Sequence, residues 1–276
     1  MRSEVVACLR CPLCRRPLTL PGPLRCPRGH SFDQARAGYV QLTAAPLAHT
    51  GDSAEMIAAR SAFLGAGHYA PITSALAAAA AMHWRGGLVL DVGTGTGTHL
   101  AGVLAEARDA YGLGTDASKP AVRVAARAHP RADAVICDAW QPLPLLDDTV
   151  GVALNVFAPR PSAEFVRVLR PDGILLVVTP TEEHLGELIG PLDLLRVDPA
   201  KSERLASSLD TLFIRSETAA IRTVMMLDHD EVATLVGMGP SAWHSDAAIR
   251  AASIAGLPDR VAVTLSVTIA TYRPRS

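Results

Sequence analysis

The segment VLDVGTGTG, residues 89–97, constrains this chain more than any other. Val89, Leu90 and Val92 read as a buried strand; Asp91 stands just before a turn, and Gly93, Gly95 and Gly97 follow at alternate positions. Glycine permits a sharp turn and lets a ligand approach the main chain. A dinucleotide-binding turn requires G-x-G-x-x-G, with backbone amides facing a pyrophosphate. Thr98 stands where that pattern needs its last glycine, so a nicotinamide-type cofactor is disfavoured. An acid before G-x-G-x-G suits a cofactor with a cationic centre and no phosphate, S-adenosylmethionine. The glycines would pass beneath its methionine and ribose parts, and Asp91 would supply negative charge. Thr98 and His99, at the start of the following helix, join the loop as candidate cofactor contacts.

From about residue 70, helical and strand patterns alternate. Strands are expected at 88–92, 111–116, up to Cys137–Asp138, at 150–156 and over ILLVVT; helices are expected at 71–85, 98–107, 119–128 and 162–169. The alternation predicts a doubly wound parallel α/β sheet, whose ligands sit at the carboxyl ends of the strands. AIRTVMMLD (220–228) and RVAVTLSVTIATY (260–272) read as a closing antiparallel pair, as in class I methyltransferases. Asp116 ends the second strand and could accept hydrogen bonds from both ribose hydroxyls. Asp138 ends the third and could receive the adenine amino group, with Ala139 and Trp140 beside the ring. Asn155 ends the fourth strand, where this fold exposes its acceptor pocket, and is a further candidate cofactor contact.

Four of the five cysteines lie in the first 26 residues. CPLC and CPRGH give Cys11-x2-Cys14-x11-Cys26-x3-His30, the spacing of a tetrahedral zinc site. Four protein ligands leave no open position, so the ion would be structural. Cys8-x2-Cys11 is an alternative first pair, but Pro12 and Pro17 favour a knuckle at Cys11 and Cys14. Cys8 is then a core or spectator thiol, and Cys137, closing the strand DAVIC, is expected to be buried. The expected organisation is a zinc-binding domain over 1–42, a linker over 43–70 and a methyltransferase domain over 71–276.

The net charge of −1 conceals an asymmetry. Residues 1–40 carry Arg2, Arg10, Arg15, Arg16, Arg25, Arg28 and Arg36 against Glu4 and Asp33. A basic module on a mildly acidic body suits a polyanionic partner. No window offers the roughly 20 apolar residues of a membrane span, and the N-terminus lacks the apolar core of a signal peptide. A cytoplasmic protein with reduced thiols is expected.

GDSAEMIAARSAFLGAGHY (51–69) resembles the segment joining the two domains of 23S ribosomal RNA guanine-N1 methyltransferases. The resemblance extends through the cysteine module, FDQARAGYVQL (32–42), VLDVGTGTG, NVFAPR (155–160) and LDHD with MGPSAWH (227–244). NVFAPR, LLVVTP and MGPSAWH are closest to the tylosin-resistance branch. One departure is the cofactor loop itself, where Thr94 and Thr96 replace other residues. The resemblance implies methylation at N1 of a guanine in the loop of hairpin 35 of 23S rRNA, at position 748 in this branch and 745 in the Gram-negative one. It also implies resistance to tylosin-like macrolides, a zinc-bearing RNA-recognition domain and a homodimer.

Guanine N1 carries a proton at neutral pH, so the reaction needs somewhere for it to go. Asn155 is the candidate for holding the guanine edge and Phe157 for stacking on it, with Ala158–Pro159 shaping the pocket. No general base stands out; Asp52 and Asp228 are candidates only because they lie in the resembling segments. Trp243 is a candidate stacking platform. Arg10, Arg15, Arg16, Arg25, Arg28 and Arg36 are candidate phosphate contacts, and Arg60 and His68 could also face RNA. Competing readings are a methyltransferase for a small molecule or protein, with the zinc module merely docking, and a non-catalytic RNA-binding protein. The set Asp91, Gly93, Gly95, Gly97 and Asp116 argues against the latter.

Overall fold

A computed structural model describes residues 1–47, 51–194, 209–239 and 247–275. The N-terminal module holds helix α1 (Ser3–Val6) and an antiparallel ribbon of β1 (Leu24–Arg25) with β2 (Ser31–Phe32). After β3 (Val40–Gln41) come α2 (Ala54–Gly65) and α3 (Ala70–His83). The alternating body follows: β4 (Leu88–Val92), α4 (Thr98–Glu106), β5 (Gly112–Asp116), α5 (Lys119–Ala125), β6 (Ala132–Ile136), β7 (Val150–Val156), α6 (Ser162–Val168) and β8 (Leu169–Pro180). The remaining elements are α7 (Gly186–Leu192), β9 (Phe213–Leu227), α8 (His229–Gly237), α9 (Ala247–Ala255) and β10 (Val261–Pro274).

The main sheet runs β3-β6-β5-β4-β7-β8-β10-β9. Strands β3 to β8 are parallel, and β10 lies antiparallel between β8 and β9. Parallel strands covered on both faces read as continuous apolar runs, and LVLDV and VGVALNV do so. Alternate side chains then serve opposite layers. Val89, Val152 and Leu176 join Ile72, Leu76 and Leu100 of α3 and α4. Leu90, Ala153 and Leu175 join Phe165 of α6 together with Val5, Leu9, Leu18 and Leu24 of the module.

The module is therefore part of the body's core. β3 extends the main sheet, Val40 opposite Val135. Leu9 bridges Leu145, and Arg10 N–H donates to the Pro144 carbonyl at 3.1 Å. Arg2 donates from its backbone and its guanidinium to Asp133, each at 2.9 Å. Nor is the stretch 43–70 a plain linker: Ser53 caps α2, its hydroxyl accepting from Met56 N at 3.2 Å, and α2 buries Met56, Ile57 and Phe63. Strand β9 begins seven residues before the expected 220, because Ile214 to Ala220 form an exposed sheet edge without apolar alternation.

Candidate active site

At β4 the chain order reverses: β5 and β6 lie to one side, β7 and β8 to the other. In open α/β sheets the ligand crevice opens at such a switch point, and here a cavity of about 590 Å³ occupies it. Gly93, Gly95 and Gly97 all have positive φ (73°, 54° and 77°). A Cβ on Gly93 would lie 2.6 Å from Ala158 Cβ, so the glycine lets the loop after β7 close against the loop after β4. Gly95 lies beneath the Arg60 guanidinium. Gly97 works differently: its missing Cβ seats α4 against Ala125 and Ala128. Gly97 and Thr98 do not line the cavity; the Thr98 hydroxyl pairs with that of Thr96 at 2.8 Å. Their expected direct cofactor contact is corrected to support of the loop.

Asp91 and Asp116 both face the cavity. Asp91 is 2% exposed and accepts a 2.7 Å hydrogen bond from Thr94 Oγ1. Burial pushes its carboxyl up to about 7, the Thr94 hydroxyl opposes this, and the charge of Asp116 adds to it. Asp116 is also pushed up by burial; the N–H groups of Ser118 and Gly95 oppose this, donating to its two oxygens at 2.8 and 2.9 Å. Among the described residues no basic side chain hydrogen-bonds either acid, since Arg60 donates to Asp52 and to the Met238 carbonyl. A buried acid with no hydrogen-bonded basic partner favours a cation in the cavity. Asp138 Oδ1 accepts from Trp140 N at 2.9 Å, and Asp138, Ala139 and Trp140 all line the cavity. His99 lines it as well, its Nδ1 2.9 Å from Thr73 Oγ1; burial lowers its pKa to about 4, so the ring is neutral.

The lining also includes an aromatic cluster. Phe157, 43% exposed with φ 51°, stacks on His184 (ring centroids 5.8 Å apart, 26° between planes) and lies 6.3 Å from the Tyr69 ring. Asn155 stands behind this cluster. It is fully buried, Nδ2 donating to the Pro159 carbonyl at 2.7 Å and Oδ1 accepting from Arg160 Nε at 3.0 Å. Its expected contact with guanine or cofactor is thus corrected: its amide is committed to the 156–160 turn that carries Phe157. Asp52 lines the cavity but pairs with Arg60. Asp228 does not line it; it forms a capping box with Glu231 on α8. Arg60 lines the cavity, whereas His68 packs on Phe63 and meets Glu231 at 3.0 Å, tying α2 to α8. Tyr69 and His184 escaped the sequence reading. They are 115 residues apart, and neither sits in a motif with chemistry of its own.

Cys11, Cys14, Cys26 and His30 converge, all four ligand atoms lying within 4.8 Å of one another. His30 Nδ1 is 3.4 Å from the sulfurs of both Cys11 and Cys26, and the sulfurs of Cys14 and Cys26 are 3.5 Å apart. This donor set and spacing fit a tetrahedral zinc ion. Two knuckle turns build the cluster, closed by Arg15 N–H to the Cys11 carbonyl and Gly29 N–H to the Cys26 carbonyl. Cys8 stays outside, its sulfur near the Glu4 carbonyl, and Cys137 is buried. Arg15, Arg16, Arg25, Arg28 and Arg36 are exposed on the module. Arg10 is not: it is 9% exposed, donates to the Leu143 carbonyl and approaches Asp147 and Glu164 at 3.5 and 3.8 Å. Its expected phosphate contact is corrected to a tie between module and body. Trp243 lies outside the described residues.

Comparison with known proteins agrees with this geometry. Residues 9–47 match the family model described as "RlmA, N-terminal", a zinc ribbon, and residues 89–173 match "Methyltransferase domain". A protein of Micromonospora griseorubida, described as "Putative 23S rRNA (guanine-N(1)-)-methyltransferase", is 54% identical, the alignment covering 99% of this chain and 100% of the relative. The 23S rRNA (guanine(748)-N(1))-methyltransferase of Streptomyces fradiae is 51% identical, covering 99% of each. A solved Bacillus halodurans protein, titled a "putative methyltransferase", shares the fold at a TM-score of 0.51 and 15% identity, covering 72% of this chain and 97% of its own.

Proposed function

The chain belongs to the 23S rRNA (guanine-N1)-methyltransferases, and from that premise we propose that it methylates N1 of the guanine at position 748, in the loop of hairpin 35, and thereby confers resistance to tylosin-like macrolides. S-adenosylmethionine is the cofactor and zinc the structural metal. When bound, the cofactor supplies an electrophilic methyl group. The residues that would hold it are Asp91, Gly93, Gly95 and Asp116, with Asp138, Ala139 and His99 around the rest of the cavity. Asp91 carries the charge complementarity, and Asp116 keeps lone pairs for hydroxyl donors beyond the two amides it already accepts. The zinc cluster holds the module's knuckles in place, and Arg15, Arg16, Arg25, Arg28 and Arg36 would meet RNA phosphates.

The observation that carries the reading is one cavity lined both by the buried acids Asp91 and Asp116 and by the exposed Phe157. A loop guanine can leave its stack, lie against an aromatic ring and be read on its Watson–Crick edge. Phe157 would provide the ring, held outward by the clamp of Asn155 on Pro159 and Arg160. The position rests on the likeness to the Streptomyces fradiae enzyme, and the resistance on the resemblance of NVFAPR, LLVVTP and MGPSAWH to the tylosin-resistance branch. A cytoplasmic homodimer is the expected form; among the described residues no helix is long and apolar enough to cross a membrane.

Primer extension on 23S rRNA treated with protein and S-adenosylmethionine tests the proposal, because a methyl at N1 blocks pairing and stops reverse transcriptase. A stop at guanine 748 that requires cofactor, and is lost in Gly95→Arg, is the expected result. A stop at another guanine refutes the position. Unchanged tylosin sensitivity of cells whose guanine 748 is methylated refutes the resistance role.

A further inference from the structure

His184 and Tyr69 form a hydrogen-bond ladder that ends in the cavity. Ser266 N–H donates to His184 Nδ1 at 3.2 Å, so that nitrogen is unprotonated and, in the neutral ring, Nε2 carries the hydrogen. Burial holds the His184 pKa down to about 4, which keeps the ring neutral. His184 Nε2 lies 3.4 Å from the Tyr69 hydroxyl oxygen and donates toward it. The phenol's own proton is left to point elsewhere, and Tyr69 lines the cavity beside Phe157. Burial pushes the Tyr69 phenol well above its ordinary range, so it remains a donor at all ordinary pH values. The ring is fixed edge-on against Phe63 (5.2 Å between centroids), and the ladder crosses from the N-cap of α3 to the turn before α7 and to β10.

We propose that Tyr69, oriented by His184, donates a hydrogen bond to O6 of the target guanine and stabilises the charge that gathers there as N1 gives up its proton. The inference rests on the guanine-N1 activity stated above. In the reaction the guanine N1–H bond breaks and its proton leaves to water. The electron pair on N1 forms the bond to the methyl carbon as the methyl–sulfur bond breaks. The pair on N1 is conjugated with O6, so a donor at O6 shifts the bound base toward its nucleophilic, deprotonated form. That is electrostatic stabilisation aimed at the site where charge develops. Phe157 stacks the base and Tyr69 reads its edge. His184 acts through Tyr69 as a positioning residue.

The test is kcat against pH, on a hairpin 35 RNA, for the wild type, Tyr69→Phe, His184→Ala and the double variant. Loss of one hydrogen bond to a charged group costs roughly 10- to 100-fold, so Tyr69→Phe should lower kcat by that factor at pH 7. S-adenosylmethionine affinity and the KM for RNA should hardly change. The deficit should shrink as pH rises and guanine N1 ionises unaided, because the wild type levels off first. His184→Ala should show a smaller deficit with the same pH dependence, and none when added to Tyr69→Phe. If Tyr69→Phe fails to bind cofactor, His184→Ala carries the pH test alone. A kcat equal to that of the wild type, or a deficit constant with pH, overturns the proposal and leaves the guanine activity standing. Absence of N1 methylation by the wild type overturns the functional assignment instead.

Discussion

Asp91 is the residue on which the site's electrostatics turn. Its carboxyl is buried and raised to about 7, so proton and cationic ligand compete for it. S-adenosylmethionine affinity should therefore rise as pH increases toward 7 and level off above it; Asp91→Asn should bind more weakly and lose this dependence, as titration calorimetry between pH 6 and 8 would show. Linkage has the opposite sign for the ligand-free protein. The folded carboxyl holds its proton up to about 7, whereas in the unfolded chain it would release it near 3.8. The contribution of Asp91 to stability thus falls as pH climbs through that window, and Asp91→Asn should flatten the corresponding part of the thermal-melt profile. Asp91, Gly93, Gly95 and Asp116 were legible in the sequence because each is fixed by its place at a strand end, a local property. Tyr69 and His184 were not, because their pairing exists only once the N-cap of α3 and the turn before α7 meet. Asn155 was placed at the right strand end, but sequence could not reveal that Pro159 and Arg160 engage its amide.

Among the elements, the seam between α3 and α4 is the tightest point near the cofactor loop. A Cβ on Gly102 would fall 2.2 Å from Thr73 Cγ2, while the Thr73 hydroxyl bonds His99 across the same seam. Overpacking a well-filled interface costs about 1–3 kcal/mol, so Gly102→Ala should lower stability by that amount in a denaturant melt. Thr73→Ser removes the offending methyl and keeps the hydroxyl, so the double variant should recover most of the loss. An equal loss in both backgrounds would show that the steric clash is not what matters. The central strands β4 and β7 were readable because burial on both faces writes a nearly continuous apolar run. β3 is only two residues long and carries no periodicity, so nothing in its sequence announced that the module joins the main sheet. Helix α2, although capped by Ser53 and anchored by Met56, Ile57 and Phe63, is not legible in this way, because its apolar residues are scattered among alanines.

On the scale of the whole molecule, the zinc module both braces the body and presents its positive charge. Since Leu9, Leu18 and Leu24 share a core with Leu143, Leu145 and Phe165, chelating the zinc should lower the melting temperature of the entire chain. A separate low-temperature transition confined to the module would contradict this coupling. The arginines divide along the same line. Arg2 and Arg10 hold module to body, whereas Arg15, Arg16, Arg25, Arg28 and Arg36 face solvent. Each phosphate contact contributes about 0.7–0.9 to the slope of log affinity against log salt. Replacing Arg15, Arg16, Arg25 and Arg28 with alanine should make that slope shallower by about 3 for hairpin RNA if all four engage phosphates, with the melting temperature little changed. Arg10→Ala should do the reverse. It removes a buried side chain and its Nε hydrogen bond to the Leu143 carbonyl from the seam between module and body, while Arg167 still pairs with Glu164 and Asp147, so the protein should melt earlier while the salt slope stays put. Binding titrations from low to moderate salt, paired with melts of the same variants, separate the two groups. If the four-arginine variant kept the wild-type slope, the RNA-facing surface would have to lie away from the module.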